Sequence, residues 1–208
     1  EWYKKISDFK YDGKGSIPKY LSVSEIQHKT KYQRKPDFLD GKVSSTNKGT
    51  LYHLLLELLP VKRYTIKSLE EEIDEIIKTG KILESDKKII RLEDIFSYLT
   101  SDIYENLLYS DKYYKEMPIN FYIPSSYYDN SLKSGNILSS GVIDLLFITN
   151  DTYNIVDYKT DKVSSMDELK DLYKIQLDLY EIALREKMNA KSVRKFIYSI
   201  YLGKFIEV

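Results

Sequence analysis

Asp144, Asp157 and Lys159 fall on the two strand-like runs of one short stretch, Gly141 to Lys162, which reads GVIDLLFITNDTYNIVDYKTDK. Asn150-Asp151 is a turn pair flanked by strand-forming residues, so the stretch predicts a β-hairpin with a two-residue loop. With that loop Thr149 pairs with Thr152, and counting outward sets Asp144 opposite Asp157. Lys159 stands two residues beyond Asp157 and projects from the same face, because side chains alternate along a strand. Opposed carboxylates in a low-dielectric setting repel, so either one is protonated or a cation sits between them. A divalent metal with oxygen ligands keeps both ionised. The pattern is the outline of a metal-dependent phosphodiesterase site. A plainer alternative makes the aspartates strand-end caps facing solvent. Against it, Asp144 is flanked by Val142, Ile143, Leu145 and Leu146, where an unpaired carboxylate costs several kcal/mol. Lys159 is either their salt-bridge partner or a catalytic group that orients water and offsets charge on a phosphorane. Spacing alone does not separate the two.

Other residues could join this patch. His53 lies on a helical stretch, on the flank away from its leucines, with Glu57 four residues on. A lone histidine is commonly structural, yet from there it would complete a His/Asp/Asp set that suits magnesium, manganese or zinc. Glu57 is either a partner orienting His53 or a solvated helix residue. Gln176 is the one amide in an apolar stripe of Leu169, Leu172, Tyr173, Leu179, Tyr180, Ala183 and Leu184. Buried there it must be hydrogen-bonded, to Tyr180, to a site residue or to a nucleic-acid phosphate. Glu116, inside a predicted strand, either approaches the site or caps an edge.

The elements that position these groups follow from periodicity and caps. Ser22 to Glu25 is a capping box opening a short helix toward Tyr32. Pro36 to Asn47 reads as a loop. Gly49 to Leu59 is helical, with a stripe of Leu51, Leu54, Leu55 and Leu58, and Pro60 ends it. A helix from Ser68 to Gly80 has Glu71 as its capping glutamate. Asp86 to Tyr109 is helical with a break near Ser101, and Tyr113 to Ile123 alternates as a strand. After the hairpin, Ser165 caps a long helix to about Met188. Ser192 to Leu202 then forms a strand, with a short last one after Gly203-Lys204. Along the hairpin, alternation puts Val142, Leu146 and Ile155 on one face and Ile143, Leu145, Phe147 and Val156 on the other. Both faces are apolar, so the sheet needs helices on both sides. The fold class is α/β, a central mixed β-sheet flanked by helices on both faces.

Bulk composition narrows the classes. The chain has 208 residues, enough for one domain with a sizeable core, and its 32 basic and 32 acidic residues cancel. Net neutrality removes the simple electrostatic argument for nucleic-acid binding without excluding a local basic groove. The absence of cysteine excludes disulfides, cysteine-ligated zinc and an iron–sulfur cluster. No run of about 18 apolar residues predicts a membrane span, and the charged start is no signal peptide. Tyrosine, at 20 residues, is abundant. A base-stacking surface is one reading, and the codon bias of an AT-rich genome is the blander one. The first residue is not Met, and residues 1–20 are polar with Gly13, Gly15 and Pro18. They are expected to be a linker arm, with a domain over 21–208.

Taken in order, Gly49-Thr-Leu-Tyr-His53, Glu116-Met-Pro118, Gly141-Val-Ile-Asp144, Asp157-Tyr-Lys159-Thr160 and Gln176-Leu-Asp-Leu-Tyr180 resemble the RecB-type PD-(D/E)XK nucleases. Tyr20-Leu-Ser-Val-Ser-Glu-Ile26, Pro36-Asp-Phe-Leu39 and the run to Asp161-Lys162 are similar to the AddA subgroup, the C-terminal nuclease domains of bacterial AddAB helicase–nucleases. The resemblance covers about residues 20 to 208 and implies a restriction-endonuclease-like fold. It implies a Mg2+-dependent DNA exonuclease, with Mn2+ able to substitute, acting in double-strand-break processing and recombinational repair. His53, Asp144, Asp157 and the Tyr158 carbonyl would be metal ligands and Lys159 the catalytic lysine. Gln176, Tyr180 and Tyr173 would line the DNA strand, with Glu116 and Glu57 as possible supports. The implied partners are single-stranded DNA ends, an N-terminal helicase region whose motifs are absent from this sequence, and an AddB-type subunit. The implied setting is the bacterial cytoplasm, at the nucleoid. The alternative is a catalytically inactive domain of the same fold that binds DNA or docks a partner protein.

Overall fold

The computed structural model describes residues 18–30, 45–129, 131 and 134–208. The expected arm lies outside these residues up to position 17, as does the expected loop from Pro36 to position 44. Six strands form one mixed sheet: β1 (Tyr20–Ser22), β2 (Lys112–Pro124), β3 (Asn136–Thr149), β4 (Thr152–Lys159), β5 (Ser192–Ser199) and β6 (Lys204–Glu207). Their order is β1-β3-β4-β5-β6, and β2 pairs with β3 along its opposite edge. The β3–β4 hairpin has the register read from sequence, Thr149 against Thr152, but it ends at Leu145↔Val156, so the expected pairing of Asp144 with Asp157 is not formed. Its loop residues Asn150 and Asp151 both take positive φ, 49° and 58°, which matches the strands' right-handed twist.

Helices α1 (Val23–Thr30), α2 (Ser45–Leu58), α3 (Ile66–Lys78), α4 (Leu92–Leu99), α5 (Asp102–Leu108) and α6 (Met166–Met188) cover the sheet. The α1 capping box is reciprocal, with Ser22 N donating to Glu25 Oε2 at 2.7 Å and Glu25 N to Ser22 Oγ at 3.2 Å. α3 starts earlier than expected because Thr65, not Ser68, is its N-cap, with Ser68 completing the box. Asp86 to Tyr109 holds a 3-10 turn (Glu84–Ile89) followed by α4 and α5, and Ser101 caps α5 at the expected break. β5 ends at Ser199, short of the expected Leu202. On one face, α2 to α5 pack Leu51, Leu55, Leu56, Leu59, Ile73 and Tyr98 against Leu145, Phe147, Val156 and Tyr158. On the other, α1 and α6 pack Ile26, Leu177, Leu179 and Ala183 against Ile143, Leu146, Ile155 and Ile197. The sheet is therefore covered on both faces by helices.

Simple alternation fails at one place. Ile143 packs in the same core as Leu146, and Val142 is exposed, so the expected grouping of these residues is corrected. Residues three apart on a regular strand face opposite ways. On β2 the same slip brings Tyr114 and Met117 to one side. The pairing sums stay constant from Lys112↔Ile148 to Pro124↔Asn136, and only the Glu116–Asp144 step is left unpaired. There Glu116 takes φ 47°, a left-handed backbone rare for a side chain of this kind. One distorted step in both strands thus rotates everything beyond it.

Just there β3 also loses its other neighbour. β1 leaves after Ser22↔Ser140 and β4 joins at Leu145↔Val156, so residues 141–144 face a fork. Side chains complete the hydrogen bonding across the gap. Tyr158 N donates to Asp144 Oδ2 at 2.8 Å, and Tyr180 Oη to the Val142 carbonyl at 2.7 Å. Tyr180 reaches that carbonyl over Gly141, where a Cβ would lie 2.6 Å from Tyr180 Cε1. Gly141→Ala is therefore expected to destabilise the fold by about 1–3 kcal/mol in urea unfolding. An unchanged unfolding midpoint would show that Tyr180 does not need this space.

Candidate active site

The fork collects side chains from both helical layers. His53 comes from α2, whose C-terminal carbonyls are held by Lys115 of β2. Lys115 Nζ donates to Leu56 O at 2.8 Å, to Glu57 O at 3.2 Å and to Leu59 O. These are acceptors that a helix end cannot satisfy internally. Burial pulls the Lys115 amine down to about 8. His53 Nε2 lies 3.0 Å from the Tyr158 carbonyl, an acceptor only, so that nitrogen carries the hydrogen. Nδ1 then faces Asp144 Oδ1 at 3.5 Å and Glu116 Oε1 at 3.9 Å. A ring nitrogen aimed at two carboxylates binds a proton or a metal cation.

The electrostatics agree. Burial works against a charged His53, but Asp144 outweighs it and holds the imidazole above its ordinary value. Burial, then the neighbouring Asp144, push Glu116 up to about 7. Burial also raises Asp157, against the pull of Lys159. Burial would discharge Lys159, but Asp157 and Asp144 together hold it firmly protonated.

His53, Glu116 and Asp144 each offer a ligand atom within 4.8 Å of the others. One imidazole and two carboxylates fit a divalent cation of the magnesium or manganese kind. Asp157, expected among the ligands, lies outside that trio. It is buried, with Oδ2 2.7 Å from Lys159 Nζ and Oδ1 accepting from Gln176 Nε2 at 2.8 Å. The Tyr158 carbonyl faces His53. Lys159 rests 4.2 Å from the Tyr173 ring centre, and Tyr173 donates its hydroxyl to Asp161 Oδ2 at 2.9 Å.

Two expectations shift. Tyr180 is 4% exposed and anchored to Val142 O and near Gln176, so its ring is part of the core and no base can stack on it. Glu57 is exposed, and among the described residues no hydrogen bond joins its carboxylate to His53. Glu116 stands closer to the centre than its sequence position indicated. Lys115 escaped the reading altogether, and its only signal was a cation inside a strand pattern one residue before Glu116.

The PD-(D/E)XK nuclease superfamily matches residues 24–205. The chain belongs to this superfamily. It is 30% identical to AddA of the ATP-dependent helicase/nuclease of Clostridium botulinum strain Hall, over 100% of this chain and 18% of that protein. Against the protein of the same name from Clostridium perfringens strain 13 the figures are 29%, 89% and 16%. The chain thus spans under a fifth of these relatives' length. A solved structure of SSO0001 aligns at 14% identity, over 99% of this chain and 71% of that one, with a TM-score of 0.38.

The raised values in this cluster carry into stability. Unfolded, Glu116 titrates near 4.5, and folded near 7. Between those values the folded chain binds more protons, so its stability falls as pH rises through the window. Raised values at Asp157 and His53 act with the same sign. In EDTA, Tm is expected to drop from about pH 5 to about pH 7.5, and Glu116→Gln to flatten that drop. A Glu116→Gln profile parallel to the parent's would refute the assignment.

Proposed function

We propose that this chain is a Mg2+-dependent deoxyribonuclease domain that hydrolyses the phosphodiester bonds of single-stranded DNA ends as an exonuclease. One observation carries the reading: an imidazole–carboxylate trio and the Asp157–Lys159 pair meet at the fork of one sheet. His53, Glu116 and Asp144 would hold the cation, with Asp157 and the Tyr158 carbonyl beside them. The cation, Mg2+ or Mn2+, would supply Lewis-acid charge at the phosphate and make water more acidic.

The chain's own groups do the rest. Lys159 Nζ, kept charged by Asp157, orients the attacking water and donates hydrogen bonds to phosphoryl oxygens as negative charge grows there, while solvent water takes the nucleophile's proton and returns one to the departing oxygen. Asp157 cannot swing away, because Gln176 holds its other oxygen. Tyr173 beneath Lys159 keeps the ammonium directed into the fork. Asp144 bonds the Tyr158 N–H, fixing the spacing of the two strands that carry the site.

In this reading residues 21–208 are the nuclease domain and 1–20 its link to a helicase region that feeds it single strands. An AddB-type subunit is the partner, and the assembly works on broken DNA ends in the bacterial cytoplasm. The similarity to helicase/nuclease proteins supports this setting.

The test is degradation of linear single-stranded DNA with Mg2+. Lys159→Ala is expected to lose about a hundredfold or more in rate, and Asp157→Ala to lose cleavage. Full cleavage by Asp157→Ala would sink the proposal. A parent chain that binds DNA but cuts with neither Mg2+ nor Mn2+ would favour the non-catalytic alternative.

A further inference from the structure

The helical cover of the sheet is unequal. The face carrying Leu145, Phe147 and Val156 lies under α2 to α5, but no described helix covers its continuation beyond the distorted step, where Tyr20, Tyr122 and Val142 are exposed. Alternate residues of β3 on that side are Leu138, Ser140, Val142 and then Asp144, and those of β2 are Tyr122, Asn120, Pro118 and then Glu116. Cross-strand pairing turns these into rows. Tyr20, Leu138 and Tyr122 form one, Ser22, Ser140 and Asn120 the next, and Val142 with Pro118 the third. The fourth step is the Asp144–Glu116 pair of the site. Tyr20 is 51% exposed, Tyr122 is 55% exposed, and Val142 is exposed too. The Tyr20 and Ser140 hydroxyls are hydrogen-bonded, which lays the Tyr20 ring along the rows toward the site.

We propose that this open face is the seat on which a single DNA strand lies as it enters the site, with Tyr20 and Tyr122 stacking its bases. The proposal rests on the nuclease reading and adds to it where the strand runs and why it is single. The rows sit on the same two strands as the acidic pair, so whatever lies along them ends at the cation trio. They span about 20 Å from Leu138 to Asp144, at roughly 3.3 Å per residue. Their width of three strands is about 10 Å, too narrow to seat both strands of a duplex. No residue of the three rows is charged. The acids bonded to this region are engaged, Glu25 with Ser22 and Glu186 with the Tyr122 N–H. Aromatic faces hold bases without sequence preference, because every base has a π-face. This gives two of the abundant tyrosines a use that the catalytic groups leave open.

The experiment measures equilibrium binding of a fluorescein-labelled thymidine dodecamer to the 208-residue chain in EDTA. Alongside it runs Mg2+-dependent cleavage of the p-nitrophenyl ester of thymidine monophosphate, which reaches the site without touching the rows. Tyr20→Ala and Tyr122→Ala are each expected to weaken binding of the dodecamer by about 5- to 100-fold and to leave cleavage of the small ester unchanged. Tyr122→Trp keeps a stacking face, and its added indole emission is expected to be quenched by the dodecamer. Binding within about twofold of the parent in the double alanine variant, or no quenching of the indole, overturns the proposal. Either result would leave the face to another segment of a longer polypeptide or to a protein partner. Failure of the parent to cleave the ester would count against the nuclease reading alone, since binding is read without metal.

Discussion

β3 cannot be paired along its whole length, and the rest of the site follows from that constraint. Between Ser140 and Leu145 one of its edges has no strand beside it. Backbone polar groups left there away from water would each be costly. Asp144 and Tyr180 take over two of those bonds, so the groups that hold the strands apart are also those that build the centre. Glu116 absorbs the remaining mismatch with a left-handed backbone, and strain of this kind gathers where a site needs a side chain re-aimed.

The fork then concentrates charge that the chain as a whole does not have. The sequence is neutral, yet Asp144, Asp157 and Glu116 meet around one committed ammonium and one histidine. Lys159 compensates Asp157, while His53 answers the other two acids only when protonated. Burial and then Asp144 raise Glu116, and Asp144 raises His53 against burial, so both hold protons beside the same crowded carboxylates. A pair buried at this depth is a weak source of stability, because desolvation offsets much of its attraction. Its geometry instead specifies where an incoming charge is met.

The parts legible in the sequence were those written in local patterns. The Asn150-Asp151 turn set the register from Thr149 to Leu145 and so brought Asp144, Asp157 and Lys159 to one end of the hairpin, but the ladder stops before Asp144, which turns to His53 while Asp157 turns to Gln176. The caps at Ser22 and Ser165 and the break near Ser101 were readable for the same reason. What could not be read was anything set by tertiary pairing. The slip at Glu116 and Asp144 obeys no periodicity, so alternation misassigned Ile143 and Val142. Tyr180 looked like a strand-lining ring because its spacing on α6 says nothing of the gap at Gly141 that it fills. Lys115 satisfies carbonyls distant in sequence, and Thr65 outcompeted Ser68 as a cap by one turn of helix. The family motifs named residues that gather at the fork, but not which of them touch.

The site draws on both helical layers at once. His53 descends from α2, in the core built on Leu55 and Tyr98, while Gln176 and Tyr180 rise from α6, in the core built on Leu179 and Ile197. Neither layer alone can assemble the centre, so loosening either one separates the imidazole from the acids or releases Asp157. A chain still folding, or partly melted, therefore holds these groups apart. The architecture acts as an integrity check, assembling the centre only when both layers are in place.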